Sequence, residues 1–126
     1  MSRNSIQLLR FLLGFSWIYH GFFPKLWAVA PLEQQITATL GFSIEVSNLI
    51  TKFAGVSEII FGVVLIVMYK NRTVLLLSIF SLFFLCLFVA VQIPVILIEA
   101  FNPVTTNFAL IGLSYVLLDN QRIKGK

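Results

Sequence analysis

The sequence predicts an all-α, multi-pass membrane protein, a four-transmembrane-helix bundle with a short amphipathic external helix between its first and second helices. Of its 126 residues, 59% are hydrophobic and only 11% are charged, whereas soluble domains are about half apolar and a quarter charged. The mean hydropathy is +0.97. The apolar residues also form long runs instead of the two-residue alternation that is typical of a transmembrane barrel.

Four apolar stretches follow one another along a single predicted domain, residues 1–126. A helix needs about 20 residues to cross a hydrocarbon layer about 30 Å thick. The predicted spans are residues 6–23, 46–69, 73–98 and 104–118. Pro103 suits the first turn of the fourth helix, because the N–H that proline lacks would have no partner there.

The segment between the first two spans is predicted to be a short external helix. Its apolar residues Leu32, Ile36 and Leu40 recur at helical spacing, which is typical of an amphipathic helix at a membrane surface. Two prolines modify the neighbouring spans. Pro24 is expected to end or bend the first helix, so that Lys25 turns inward or reaches out. Pro94 is expected to kink the third helix and to open room beside it, because it frees the carbonyl group of Ala90.

The basic residues predict the orientation in the membrane. Two of them, Lys25 and Lys52, belong to one side of a four-span bundle, and seven belong to the other: Arg3, Arg10, Lys70, Arg72, Arg122, Lys124 and Lys126. The positive-inside rule therefore predicts that both termini lie in the cytoplasm. The expected location is a bacterial-type cytoplasmic (inner) membrane, which the protein crosses several times. Because these cations are scattered at helix ends, the net charge of +4 does not indicate a nucleic-acid partner.

The polar residues of the spans are predicted to form one layer in the outer half of the bundle. This polar layer comprises His20, Lys25, Glu58, Gln92, Asn102 and Asn107, with Trp17 as a further lining residue. For Asn102 and Asn107, helix capping and an interhelical hydrogen bond are favoured over ligand contact.

Helical spacing turns part of this layer toward the interior. Glu58 shares a face with Gly55 and Gly62, residues small enough to let a neighbouring helix approach closely. The first helix has a similar stripe of Gly14, Trp17, Gly21 and Lys25, from which His20 is offset by about 60°. Because an isolated carboxylate is costly in hydrocarbon, Glu58 is expected to be protonated, paired or hydrated, with His20 or Lys25 as its partner.

Three sequence blocks carry a resemblance to a known family. They are WIYHGFFPKL (residues 17–26), GVSEIIFGVVLI (55–66) and FNPVTTNFALIGLS (101–114). Together they resemble the DoxX-like family of small four-helix membrane proteins, whose polar signature matches His20, Lys25, Glu58, Asn102, Pro103 and Asn107 of this chain. The family takes its name from a subunit of a thiosulfate:quinone oxidoreductase, and similar proteins serve as redox-associated subunits or assembly helpers.

Simple residue counts exclude several chemistries. The chain has one cysteine, Cys86, and one histidine, so it cannot form its own thiol pair, and these two residues alone cannot build a zinc or haem site. We therefore expect no metal and no autonomous enzyme.

Three functions stay open at this point. In the first, the polar layer forms a pocket in the outer half of the bundle that binds a quinone or lipid-like ligand, and the protein is an accessory subunit of a quinone-linked redox system. Alternatively, the polar layer only fixes helix register in an assembly helper or structural subunit, or Glu58 is the site of a small proton-coupled carrier. The expected partners are the lipid bilayer and other membrane or redox subunits, and a homo-oligomer stays open.

Overall fold

The computed structural model describes residues 1–100 and 102–124, except the side chains of residues 122 and 124. This part of the chain is all-α and has no strand, as predicted. Its α-helices are α1 (Arg3–Phe22), α2 (Pro31–Ala38), α3 (Ile44–Val67), α4 (Arg72–Gln92) and α5 (Pro103–Lys124). Phe101 of the third sequence block and Lys126 of the basic tail lie outside the described residues, as do the side chains of Arg122 and Lys124.

Among the described residues, α3 and α4 are each long and apolar enough to cross a membrane. Many of their large apolar side chains are exposed, including Phe53 at 75% and Val91 at 71%, as expected for surfaces that face lipid. Helix α1 coincides with the first predicted span to within three residues, whereas α5 extends six residues beyond the predicted end of the fourth span. The count of four spans stays a prediction.

The chain divides into two compact units, which we call unit A (Met1–Leu13 and Val64–Lys126) and unit B (Gly14–Val63). In unit A, α4 packs against α5. The buried hydroxyl groups of Ser78 and Ser114 share a hydrogen bond of 3.1 Å between these helices. The apolar side chains around them are buried, among them Leu75, Leu82, Leu110 and Leu117.

The first and last residues of α4 are each determined by a residue just outside the helix. At its start, the side-chain oxygen of Asn71 accepts hydrogen bonds from the backbone N–H groups of Thr73 and Val74, an N-cap arrangement. At its end, Ile93 leaves the helical conformation, with φ −141° and ψ 65°, because a residue before proline is disfavoured in the α region.

The prediction of one kinked helix through residue 98 was therefore wrong. Helix α4 ends at Gln92, and after Ile93 the chain continues as a separate 3₁₀ helix, Pro94–Ile98. Pro94 stops the helix because its ring also removes the N–H that would bond the carbonyl group four residues earlier.

In unit B, α1 and α3 approach to backbone contact at two pairs of glycines. A Cβ atom on Gly55 would lie 2.6 Å from the carbonyl oxygen of Gly21, and one on Gly62 would lie 2.6 Å from that of Gly14. Both distances are too short for a side chain, so glycine is required. The predicted inward stripe of α1 is confirmed, since Trp17 and Lys25 are also buried.

A π-helical turn, Phe23–Trp27, follows α1. The N–H of Ala28 donates to the carbonyl oxygen of Phe23 over 3.3 Å, the five-residue spacing of a π-helix. The α-helix thus ends just before Pro24, one of the two predicted outcomes, and Lys25 turns inward with 7% of its surface exposed.

The predicted amphipathic helix is confirmed as α2, although it is shorter than its apolar pattern. Leu32 and Ile36 are half-buried on this helix, whereas Leu40 lies beyond its end and is 49% exposed. Gly41 follows in the left-handed region, with φ 77°, which suits glycine and helps to end the helical run.

Candidate functional site

Lys25 lies at the centre of an ion-pair cluster in unit B. Its ammonium group donates a hydrogen bond to Glu58 Oε1, and Nζ also lies 3.7 Å from Glu33 Oε1. The side chains of Lys25, Glu33 and Glu58 are 9%, 20% and 16% exposed, respectively. We call these three residues the Lys25 cluster. One cation from the π-helical turn thus joins carboxylates from α2 and α3.

The charges of the Lys25 cluster do not balance when every group is ionised. Two carboxylates share one ammonium group, so the cluster then carries one excess negative charge. Burial raises the pKa of the Glu33 carboxyl, the nearby Lys25 ammonium lowers this pKa, and the Glu58 carboxylate raises it further. A proton on Glu33 would make the cluster neutral, and the raised pKa favours its binding to this carboxyl group of α2.

His20 takes a secondary position near the cluster. Its side chain is exposed, yet it lies within electrostatic range of Glu58 and Lys25. Of the two partners predicted for Glu58, the structure therefore assigns the direct contact to Lys25. The reason is helical phase, since Lys25 lies on the buried stripe of the first helix and His20 lies beside it.

Helix α3 also carries buried oxygen atoms that lack donors. Among the described residues, Glu58 Oε2, Thr51 Oγ1 and Asn48 Oδ1 are buried and have no hydrogen-bond partner. Thr51 and Glu58 are seven residues apart, so they share one face of the helix, roughly 10 Å apart along its axis. Because an unpaired buried polar atom costs about 1–3 kcal/mol, this face is suited to a further hydrogen-bond donor.

Three other predicted site residues lie in unit A, and two of them make hydrogen bonds that support its helices. Asn102 caps α5, since its Oδ1 accepts from the N–H of Thr105 over 3.1 Å. Asn107 is buried and donates to the carbonyl oxygen of Leu82 over 3.4 Å, which links α5 to α4. Gln92 is exposed at the last residue of α4. That these residues form one polar layer together with Glu58 stays a prediction.

Residues 14–115 match the model of the DoxX-like family, and this stretch includes the whole Lys25 cluster. The chain belongs to the DoxX-like family. No curated protein and no solved structure matches it. Family membership and the two apolar helices indicate a membrane protein.

Several buried polar residues of this DoxX-like protein were not predicted from the sequence. Glu33 was treated only as part of an amphipathic helix, although it is the first acidic residue of the chain and follows Lys25 by eight positions. Ser47 and Thr51 are also buried, at 4% and 2% exposure. Their spacing with Gly55 and Glu58 is a usable signal, because residues 47, 51, 55 and 58 fall on one helical face.

The Lys25 cluster can hold a proton and accept a hydrogen bond, but its composition does not suit a metal. In the described part of this DoxX-like protein, no group of three or more His, Cys, Asp or Glu residues could hold a metal ion. Trp17 packs edge-on against Phe61 in the same unit, with ring centroids 4.8 Å apart.

Proposed function

We propose that this DoxX-like protein is an accessory subunit of a quinone-linked membrane redox system, and that its Lys25 cluster binds the polar head of a quinone-like ligand. The observation that best supports this proposal is the state of the Glu58 carboxylate. One oxygen is bound by Lys25, whereas Oε2 is buried and has no donor among the described residues.

Because Glu58 Oε2 is a hydrogen-bond acceptor, a ligand must offer it a donor. This requirement distinguishes the reduced form of a quinone-like ligand from the oxidised form. A quinol has hydroxyl groups that donate hydrogen bonds, whereas an oxidised quinone has carbonyl oxygens that only accept them. A quinol hydroxyl would pair Glu58 Oε2, and Thr51 Oγ1 offers a second polar atom on the same helical face. The site is therefore expected to prefer the reduced ligand.

Co-purification tests this proposal directly. The full chain is purified in mild detergent as wild type and as Glu58→Gln, and bound quinones are quantified by mass spectrometry. The neutral amide keeps the shape of the side chain but removes the charge, so we expect at least a tenfold loss of ligand, the effect of about 1.4 kcal/mol. The matched control is Glu45→Gln, which alters an exposed carboxylate at the start of α3. Equal quinone content in wild type and Glu58→Gln would refute the proposal.

The proposed topology has four spans, with both termini in the cytoplasm of a bacterial-type cell. In support, α1 and α5 have 20 and 22 residues, enough to cross about 30 Å at 1.5 Å per residue. A reporter fused after residue 126 should be cytoplasmic, and one inserted near Gln34 should be external. Labelling of a cysteine at position 71 from outside the cell would contradict this orientation.

A second candidate is an assembly helper or structural subunit without a ligand. The favouring observation is that Lys25 joins three helical segments of unit B, which is how buried polar groups fix helix register. This function predicts that folded Glu58→Gln retains wild-type activity per molecule in a deletion strain. The carrier role of Glu58 stays a prediction from the sequence.

A further inference from the structure

Unit A contains a cavity of about 620 Å³, within the range of about 300–1,000 Å³ that is typical of ligand sites. It lies where the first turns of α1 meet the segment after α3 and the last turns of α5. The residues that line it are Arg3, Ile6, Gln7, Tyr69, Lys70, Leu117, Asn120 and Gln121. Two of these are cations and none is acidic, so the wall of the cavity is positively charged.

The cavity wall offers hydrogen-bond donors suited to an anion. Arg3 and Lys70 supply charged donors, and the amides of Gln7 and Asn120 supply neutral ones. Gln121 donates to the carbonyl oxygen of Tyr69 over 2.9 Å, which ties α5 to the segment that carries Lys70. Guanidinium and ammonium groups placed together in this way are typical of phosphate binding.

A further cation lies next to this wall. Arg10 is three residues after Gln7 and seven after Arg3, so the three side chains share one face of α1. Its guanidinium carbon is 4.8 Å from the centre of the Tyr69 ring. The Nε atom of Arg10 is buried and has no hydrogen-bond partner among the described residues. An acceptor at this position would satisfy a donor that is otherwise costly to bury.

We propose that this cavity is a phosphate-binding site, occupied by the headgroup of an anionic phospholipid. The neighbouring surface of α1 is apolar, with Leu8 and Phe11 exposed at 60% and 48%, so acyl chains can lie against the same helix whose basic face holds the phosphate. Basic pockets between helices at the cytoplasmic side of a membrane recognise anionic headgroups in this way. The cavity contains none of the Lys25 cluster, so this site is separate from the proposed quinone site.

Lipid retention tests the site in the full chain. The detergent-purified protein is mixed with equal amounts of phosphatidylglycerol and phosphatidylcholine of matched chain length, and bound lipid is measured by native mass spectrometry. We expect a preference for phosphatidylglycerol of about tenfold or more, lost in the double variant Arg3→Gln, Lys70→Gln. Lys52→Gln, which changes an exposed cation of α3, should keep the preference. Equal preference in wild type and the double variant would overturn the proposal.

A competition experiment distinguishes a lipid headgroup from free inorganic phosphate as the ligand. If millimolar inorganic phosphate displaces phosphatidylglycerol, the phosphate site is supported but the lipid is replaceable by a soluble anion. If it does not, the lipid headgroup is the ligand.

A second measurement needs no variant, in case the double variant does not fold. Phosphatidylglycerol should protect Lys70 of the wild-type protein from an amine-acylating reagent, whereas labelling of Lys52 should be unchanged. Unprotected Lys70 at saturating lipid would also overturn the proposal.

Discussion

Units A and B differ in how they satisfy their buried polar side chains. Unit A pairs neutral groups between α4 and α5, as in the Ser78 to Ser114 hydrogen bond and the Asn107 contact with Leu82, although Nε of Arg10 in α1 is buried without a partner among the described residues. Unit B buries the charged Lys25 cluster, and three buried oxygen atoms of α3 have no donor in the described part of the chain. Satisfied neutral pairs fix helix packing at little cost, whereas charged and unpaired groups are typical of functional sites. The charged cluster of unit B thus supports the quinone site proposed there, and the unpaired Arg10 supports the phosphate site proposed in unit A.

The largest expected effect comes from removing the cation of the Lys25 cluster. Lys25→Met would leave two carboxylates without their shared partner, and breaking a buried pair in this way costs about 3–5 kcal/mol. Thermal unfolding in detergent measures the loss. Lys52→Met, at an exposed position, is the control and should change stability by about 0.5 kcal/mol or less.

A double variant shows whether the loss arises from the ion pair. Lys25→Met combined with Glu58→Gln should lose less stability than the sum of the single changes, because the second change removes the charge that the first left unpaired. Strict additivity would contradict the pairing.

A glycine comparison should give the next largest effect. Gly55→Ala in unit B would place Cβ 2.6 Å from the carbonyl oxygen of Gly21, and such overpacking costs about 1–3 kcal/mol. The same change at Gly112 in unit A meets no heavy atom within 4 Å and should stabilise α5 by about 0.5–1 kcal/mol. Opposite shifts of the melting temperature are expected, and a neutral Gly55→Ala would show that α1 and α3 do not touch.

The neutral pair of unit A should matter less. Ser78→Ala removes one hydroxyl, but Ser114 keeps its bond of 3.0 Å to the carbonyl oxygen of Leu110. The expected loss is therefore about 1 kcal/mol, measured by thermal unfolding against Ser81→Ala at an exposed position of α4. If Ser78→Ala lost as much stability as Lys25→Met, the expected difference between the neutral pair of unit A and the charged cluster of unit B would be contradicted.

The smallest expected effect is a change in the pH dependence of stability when Glu33 is replaced. Because burial raises the pKa of the Glu33 carboxyl in the folded protein, the folded state binds this proton more tightly than the unfolded state does. The resulting stability is fully present below the ordinary pKa and is lost as pH rises through the raised pKa. Glu33→Gln should flatten the fall in melting temperature across that interval, whereas Glu45→Gln should leave it unchanged. A steeper fall in Glu33→Gln would contradict the assignment.

The sequence was sufficient for features that depend on local chemistry. Long apolar runs predicted the helices, and helical spacing predicted the buried stripe that ends at Lys25. The sequence was insufficient for features that depend on tertiary contacts. Nothing local distinguishes Glu33 from an exposed carboxylate, because its burial depends on where α2 lies against Lys25. Pro94 was also ambiguous, since a proline can kink or end a helix, and only the conformation of Ile93 shows that it ends α4.

The glycine contacts of unit B restrict how its helices can move. Gly21 meets Gly55 and Gly14 meets Gly62, so the two helices run antiparallel with a seven-residue repeat on each. Sliding one helix along the other by a single turn would bring a side chain to a point where only a hydrogen atom fits. The π-helical turn is held at the same place, because a Cβ atom on Gly55 would also lie 2.8 Å from the Cβ atom of Lys25. We therefore expect any rearrangement within unit B to involve α2, which brings Glu33 to the Lys25 cluster.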